Sequence, residues 1–267
     1  MRSPVLDGGP PDAREAAVFV HGVPGSRLDW EGLVARIEQF GRAVALDMPG
    51  FGDADKPRRW GYTVDDYGSY LGGALDRLGI ERAHVVVHDF GGAWTFSWAA
   101  REPERLASAV ALNTGLLQAR SWHAAAQLWR RPVAGEVSML VMPFGAFAKA
   151  MTQDGLAPLP EPFLRRMHHD FDRGTRRAIL KLYRATDQPY APAQQWIDVL
   201  APRDVPALVV WGDKDRFISR KGPEGLQRIF PSARVVRLPG SGHFLFADDP
   251  EGVAAALVPF LRDRLSG

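Results

Sequence analysis

Short runs of apolar, often β-branched residues recur along this chain and alternate with longer amphipathic stretches. Strands that are apolar on both faces are typical of a parallel sheet covered by helices on either side. Six such runs are predicted as strands, namely Ala17–His21, Ala43–Asp47, His84–His88, Ala107–Asn113, Ala207–Trp211 and Arg234–Leu238. Four amphipathic stretches are predicted as helices, namely Asp29–Gln39, Val64–Leu78, Gly91–Ala100 and Pro250–Arg264. The pattern predicts an α/β fold with a mostly parallel central sheet and helices on both faces.

The alternation stops between Thr114 and Asp204, where the chain has no clear strand pattern and looks helical, with frequent prolines. Because a strand pattern resumes afterwards, we interpret residues 115–203 as a helical cap (lid) inserted into a core domain of residues 1–114 and 204–267. Ligands of open α/β folds bind at the carboxyl ends of the strands, so we expect the lid to cover that edge. Sixteen residues precede the first predicted strand, which leaves room for one short strand at most.

The composition is that of a globular protein, with 46% hydrophobic and 24% charged residues. A formal net charge of +2 gives no indication of a nucleic-acid partner. The absence of cysteine excludes disulfides, thiolate catalysis and cysteine metal sites. The first residues lack the build of a signal peptide, and no apolar run is long enough to span a membrane. We expect a soluble, cytoplasmic protein that acts on a small molecule without a membrane partner, and the oligomeric state is left open.

The strongest chemical signal is the segment Val85–Gly92, in which an apolar strand runs into Asp89 and two glycines follow before a helical pattern. A nucleophile at such a strand-to-helix turn has a strained backbone that presents its side chain, and a small residue such as Gly91 lets strand and helix approach. The helix N-terminus adds positive potential that favours a carboxylate. Aspartate is also a preferred helix cap, so this segment alone leaves a capping role equally open.

Three further segments favour the catalytic interpretation. Val18–Ser26 is a strand that ends in a tight loop, and the position of that loop predicts an oxyanion hole made of the backbone N–H groups of Val23 and Phe90. His21 is interpreted as a brace for this loop rather than as a catalytic residue. A second strand ends in a loop with two carboxylates, Asp213 and Asp215.

The third segment is Pro239–Phe244, which carries His243 between glycine-rich turns after the last strand. A histidine on so flexible a loop suits a cleft better than a packed core. Asp89, Asp215 and His243 then follow the chain order of nucleophile, acid and histidine that this type of fold uses.

These segments resemble the α/β-hydrolase superfamily, and within it the aspartate-nucleophile branch of epoxide hydrolases and haloalkane dehalogenases. His21–Ser26, Asp47–Gly52 and His88–Gly92 are similar to signatures of that branch. The resemblance covers the whole chain apart from the lid. It implies an α/β-hydrolase fold in which Asp89 is the nucleophile, His243 the base, and Asp215, rather than Asp213, the acid.

An aspartate nucleophile changes the expected reaction, because a carboxylate is charged at neutral pH and suits displacement at an sp³ carbon. Attack leaves an ester on Asp89, and a water activated by His243 then attacks the carboxyl carbon of Asp89. An ordinary serine-esterase mechanism is disfavoured. No metal or other cofactor is expected, since the adjacent pair His168 and His169 lacks a supporting carboxylate spacing.

The leaving group separates the two activities of the branch. Related epoxide hydrolases protonate the opened ring with lid tyrosines, and Lys181–Arg184 is similar to the second of their tyrosine motifs, which makes Tyr183 the expected acid. The first tyrosine has no match in the early lid. Candidate substrate-binding residues are Trp94, Trp122, Trp129 and Tyr190. The sequence predicts an epoxide hydrolase that acts on a bulky or aromatic epoxide and forms a vicinal diol.

Two alternatives stay open. Related dehalogenases bind the halide with side-chain N–H donors at positions that hold Phe90 and Val23 here, which counts against dehalogenation, although lid tryptophans could supply donors. A catalytically degenerate hydrolase that only binds a ligand is disfavoured by the complete set of Asp89, Asp215 and His243.

Overall fold

A computed structural model describes residues 1–116, 122–140, 142–152, 157–186 and 192–265. Within these residues, seven strands form one sheet in the order β1-β3-β2-β4-β5-β6-β7, in which β1 runs antiparallel to β3 and all other neighbours are parallel. The strands are β1 (Val5–Gly8), β2 (Glu15–Val20), β3 (Arg42–Leu46), β4 (Arg82–His88), β5 (Leu106–Leu112), β6 (Ala207–Gly212) and β7 (Arg234–Leu238). The predicted mostly parallel α/β sheet is confirmed, and β1 is the one short strand for which the sequence left room.

Helices cover both faces of the sheet and fill the stretch between β5 and β6. The described α-helices are α1 (Glu31–Ile37), α2 (Val64–Arg77), α3 (Phe90–Ala99), α4 (Ala124–Arg130), α5 (Ala134–Leu140), α6 (Phe144–Met151), α7 (Glu161–Asp170), α8 (Arg173–Ala185), α9 (Pro192–Leu200), α10 (Gly222–Leu226), α11 (Leu245–Asp248) and α12 (Pro250–Leu265). The separation of a cap from a core remains a prediction. Among the described helices, none combines the length and apolarity that crossing a membrane requires.

The helix predicted over Asp29–Gln39 is shorter than expected. A 3-10 turn, Arg27–Trp30, comes first, because Ser26 and Asp29 form reciprocal cap hydrogen bonds that start the helical segment at Arg27. The helix α1 then ends at Ile37, whose carbonyl accepts from the N–H groups of Phe40 and Gly41.

The central strands and α3 form the middle of the core. Every residue of β3 and of α3 is buried, and α3 is apolar on all sides because it packs against β4, α2 and α9. A buried helix that follows a buried strand directly leaves little freedom to the residue between them. That residue is Asp89.

Candidate active site

Asp89 lies at the carboxyl end of β4, in the turn that leads into α3. Its backbone has φ +50° and ψ −126°, a strained conformation for a residue with a side chain. Two glycines close to this turn, Gly22 and Gly91, have no room for a side chain. A Cβ on Gly22 would lie 2.4 Å from the Cβ of Asp89, and a Cβ on Gly91 would lie 2.4 Å from the carbonyl oxygen of Val20.

Two backbone N–H groups hold one side of the Asp89 carboxylate. The N–H of Val23 donates to Oδ1 at 2.8 Å, and the N–H of Phe90 also bonds to the carboxylate. The peptide bond between Val23 and Pro24 is cis. The structure thus brings both amides of the predicted oxyanion hole to Asp89 and leaves the second oxygen, Oδ2, directed towards His243.

His21 fixes the loop that carries Val23. Its Nε2 accepts from the N–H of Met48 at 2.9 Å, so Nδ1 carries the proton and donates to the carbonyl of Gly22 at 2.8 Å. This matches the bracing role predicted from the sequence.

The buried His243 lies between two carboxylates. Its Nδ1 is 2.9 Å from Oδ2 of Asp215, and its Nε2 is 3.7 Å from Oδ2 of Asp89. The other oxygen of Asp215 accepts from the N–H groups of Phe217 and Ile218 at 2.7 and 3.1 Å. Asp213 instead forms an ion pair with Arg237 at 2.7 Å. Asp215 is therefore the carboxylate placed to orient the imidazole.

Burial and neighbouring charges shift the pKa values of Asp89 and His243. Burial raises the pKa of Asp89, an effect that His243 and the two backbone N–H groups oppose. Burial alone would lower the pKa of His243, but the carboxylates of Asp215 and Asp89 outweigh it and raise that pKa. Each of the two residues therefore favours the charged form of the other.

A cavity of about 330 Å³ opens above Asp89. Aromatic side chains make up much of its wall, from Phe90 and Phe217, Phe244 of the histidine loop, and Trp122, Trp129 and Tyr183 of the region between β5 and β6. Trp122 and Trp129 line the cavity as expected of substrate-binding residues. The same expectation for Trp94 was wrong, because Trp94 is fully buried behind Phe90 and stacks on Tyr67. Tyr190 lies outside the described residues.

Tyr183 lies in α8, lines the cavity and is buried. Burial raises its pKa well above 10, and the charge of Asp89 raises it further, so its hydroxyl keeps its proton at neutral pH. The hydroxyl oxygen is 3.3 Å from Nε2 of His123, whose pKa is lowered to about 4 by burial and by His243.

The tautomer of His123 follows from its place at the start of α4. Its Nδ1 accepts from the backbone N–H of Ala126, so the proton of the neutral ring is on Nε2. Nε2–H donates to the oxygen of Tyr183, and the Tyr183 O–H is left to donate into the cavity. No role was predicted for His123 from the sequence, and its position just before a helix was the available signal.

Trp122 lines the cavity and has a buried indole N–H. Its ring stacks on Phe90 with ring centroids 6.1 Å apart, and its Nε1–H bonds to none of the described residues. Among the described residues, no group of three or more His, Cys, Asp or Glu could hold a metal ion.

The chain matches known proteins over nearly its whole length. A family model described as alpha/beta hydrolase fold matches residues 17–250. A haloalkane dehalogenase of Mycolicibacterium smegmatis is 28% identical over 95% of this chain and 86% of the relative. A cis-3-alkyl-4-alkyloxetan-2-one decarboxylase of Xanthomonas campestris pv. campestris is 27% identical over 96% of this chain and 91% of the relative. The crystal structure of an epoxide hydrolase of Bacillus megaterium superposes with a TM-score of 0.79 at 20% identity, over 97% of this chain and 96% of that one, a likeness that shows the fold.

Proposed function

The chain belongs to the alpha/beta hydrolase fold family, and from that premise we propose that it is an epoxide hydrolase that works through an ester on Asp89. One observation carries the proposal. The carboxylate held by Val23 and Phe90 faces His243 with its free oxygen, and the same cavity contains a buried Tyr183 whose hydroxyl proton is available to a ligand.

In the first step, Oδ2 of Asp89 attacks a carbon of the epoxide. A carbon–oxygen bond of the ring breaks as the ester bond forms, and the ring oxygen takes the proton of Tyr183. The charge of Asp89 disappears in this step, which removes the electrostatic contribution of Asp89 to the high pKa of Tyr183. Proton donation thus becomes easier at the moment when the ring oxygen needs the proton.

In the second step, His243 takes a proton from a water molecule that attacks the carboxyl carbon of Asp89. The oxyanion forms at Oδ1, where the N–H groups of Val23 and Phe90 already donate. Collapse breaks the ester and releases the diol. One proton of the water completes the new hydroxyl group, and the other restores Tyr183.

The cavity wall supports a substrate with an aromatic or bulky apolar group. The rings of Phe90, Trp122 and Tyr183 meet at centroid distances of 5.0 to 6.1 Å, which provides both flat and edge-on contacts for a ring. We therefore propose aryl-substituted epoxides as the substrate class.

Dehalogenation is the second candidate, and a different observation favours it. The indole of Trp122 stacks on Phe90 and lines the cavity that holds Asp89. Its buried Nε1–H bonds to none of the described residues, and an indole N–H is the kind of donor that binds a halide. The similarity to haloalkane dehalogenases supports the same activity. Both candidates share the ester on Asp89 and differ in the group that leaves.

The decisive experiment uses His243→Gln, which is expected to form the ester without hydrolysing it. The variant is incubated with aryl epoxides, 1-haloalkanes and a 3,4-dialkyl oxetan-2-one, and the intact protein mass is recorded. Asp89→Asn/His243→Gln serves as the matched control, because it lacks the nucleophile.

An adduct with the full mass of an epoxide, mapped to Asp89, supports epoxide opening. An adduct lighter than the haloalkane by one hydrogen halide transfers the assignment to dehalogenation. Turnover of the oxetan-2-one by the wild-type protein, without turnover of epoxides, would contradict the epoxide assignment. A protein that binds these compounds without an adduct or turnover would be a ligand-binding member of the family.

A further inference from the structure

We propose that Asn113 is a positioning residue for the base, because its side-chain amide ties the loops of Asp215 and His243 to the end of β5. Asn113 follows β5 directly and is fully buried. It does not line the cavity, so it acts through its neighbours. The proposal rests on the two-step reaction proposed above.

The amide of Asn113 contacts both loops at once. Its Nδ2 donates to the carbonyl of Gly242 at 2.7 Å and to the carbonyl of His243 at 3.2 Å. Its Oδ1 accepts from the N–H of Gly212 at 2.8 Å, at the end of the strand that leads to Asp215. One side chain therefore sets the separation between the loop of the acid and the loop of the histidine.

The backbone of His243 is held from a second side as well. Nε2 of His88 lies 3.0 Å from the carbonyl oxygen of His243, and since that oxygen can only accept, the proton is on Nε2 of His88. Burial lowers the pKa of His88 well below 6.5, with His243 adding to the effect, so the ring is neutral. Asn113 and His88 together fix the carbonyl of His243.

The nucleophile is tied to the same residue, but through the main chain. The N–H of Asp89 donates to the carbonyl of Asn113 at 3.2 Å. A substitution of the Asn113 side chain leaves this hydrogen bond available. It is therefore expected to disturb His243 and the acid loop more than Asp89.

The residue type fits this role in two ways. Asn113 has φ +34°, a left-handed conformation that asparagine tolerates better than most residues, and its three side-chain hydrogen bonds hold it there. An ionised aspartate has nearly the same shape but no hydrogen to donate to the carbonyls of Gly242 and His243. Asn113→Asp thus removes the donation with little change in volume.

The experiment compares ester formation with ester hydrolysis in Asn113→Ala, Asn113→Asp and a matched control, Ser108→Ala. Ser108 is a fully buried residue of β5 whose hydroxyl bonds to Nδ1 of His84, away from the three catalytic candidates. Single-turnover kinetics with an ester-forming substrate gives both rate constants. Circular dichroism and thermal melting show whether each variant is folded.

Both Asn113 variants are expected to hydrolyse the ester about 10²-fold more slowly, because misplacement of a catalytic base by about 1 Å has an effect of that size. Ester formation is expected to stay within about threefold of the wild-type rate, since Asp89 and Tyr183 keep their positions. The ester then accumulates during turnover, and kcat and KM fall together. A purely structural role would lower both rate constants alike, and that result would overturn the proposal.

A second readout needs no substrate and separates this proposal from the proposed function. The Nδ1 proton of His243, bonded to Asp215, gives a low-field proton NMR signal that is assigned by its loss in His243→Gln. Both Asn113 variants should shift or broaden that signal, and Ser108→Ala should leave it in place. An unchanged signal in folded Asn113→Asp contradicts the positioning role whether or not epoxides are substrates.

Discussion

Charge coupling between His243 and its two carboxylates decides how the reaction depends on pH. Ester hydrolysis requires neutral His243, so its rate is expected to rise with pH and to level off above the pKa of that residue. In the free enzyme this pKa is raised, because Asp215 and Asp89 outweigh burial. The ester on Asp89 is neutral, so the pKa falls when the intermediate forms.

The midpoint of the pH profile for single-turnover hydrolysis should therefore lie below the midpoint of the His243 titration in the free enzyme, which NMR measures. Equal midpoints would show that Asp89 is not esterified during the step that His243 assists.

Substitutions of Tyr183 and His123 should slow ester formation from an epoxide to different extents. Tyr183→Phe removes the proton donor, and ester formation from an epoxide is expected to slow by about 10²- to 10³-fold. His123→Phe leaves that donor and removes only the group that orients it, so about tenfold is expected for an oriented hydrogen bond.

The matched control for the second variant is His168→Phe, since His168 bonds to the carbonyl of Met142 and does not line the cavity. Ester formation from a haloalkane should change little in Tyr183→Phe, because a halide leaves without a proton. An equal loss with both substrate types would rule out Tyr183 as the ring-opening acid.

Individual residues were predictable where a motif fixes their backbone. Asp89 follows a buried strand and precedes glycines, and His243 stands in a glycine-rich loop, so their positions could be expected from the sequence. The orientation of Tyr183 could not, because it depends on His123, a residue 60 positions earlier whose tautomer is set by a helix cap. Trp94 was misjudged because helical periodicity does not show which side of an all-apolar helix faces the cavity.

At the scale of elements, a buried ion pair joins α7 to the segment that follows the oxyanion loop. Arg166 in α7 donates to Asp29 at 2.7 Å and to Ser26 at 3.1 Å. Burial raises the pKa of Asp29, and Arg166 opposes that shift. Removal of the arginine leaves a buried carboxylate without its counter-charge.

Arg166→Met is therefore expected to lower the free energy of unfolding by about 3 kcal/mol. The exposed pair of Arg165 and Glu161 provides the control, since Arg165→Met should cost no more than about 1 kcal/mol. Urea denaturation measures both. Because Arg166 opposes the rise of the Asp29 pKa, its removal raises the folded-state pKa of Asp29 further above the unfolded value. The loss of stability in Arg166→Met should therefore grow as pH rises from the folded-state pKa of Asp29 in the wild type to that in the variant, and Asp29→Asn should recover part of the loss. A pH-independent loss would contradict this account.

Strands were easier to predict than the ends of helices. A buried parallel strand is largely apolar, so the five predicted strands other than β7 were placed to within two residues at each end. The edge strand β7 is only partly buried and contains two arginines, but its bounds were predicted to the residue. The start of α1 depends on the reciprocal contacts of Ser26 and Asp29, which compete with the helix pattern that begins at Asp29. Local hydrogen bonds between side chain and backbone are not part of a hydrophobic pattern.

For the whole molecule, the fold places the proposed nucleophile, base and ring-opening acid around one cavity although they are far apart in the chain. Asp89 and His243 come from the carboxyl edge of the sheet, and Tyr183 comes from the helices between β5 and β6. The leaving group was the least predictable feature, because it depends on donors such as Trp122 and Tyr183 that meet only in the folded cavity.

The ester on Asp89 is the central claim, and a single turnover in ¹⁸O-labelled water tests it most directly. The wild-type protein, in excess over substrate, is allowed to turn over once, and the peptide that contains Asp89 and the diol are analysed by mass spectrometry. Attack of water on the carboxyl carbon predicts one ¹⁸O atom in Asp89 and an unlabelled diol. An ¹⁸O atom in the diol with none in Asp89 would show that water attacks the substrate directly and would contradict the account.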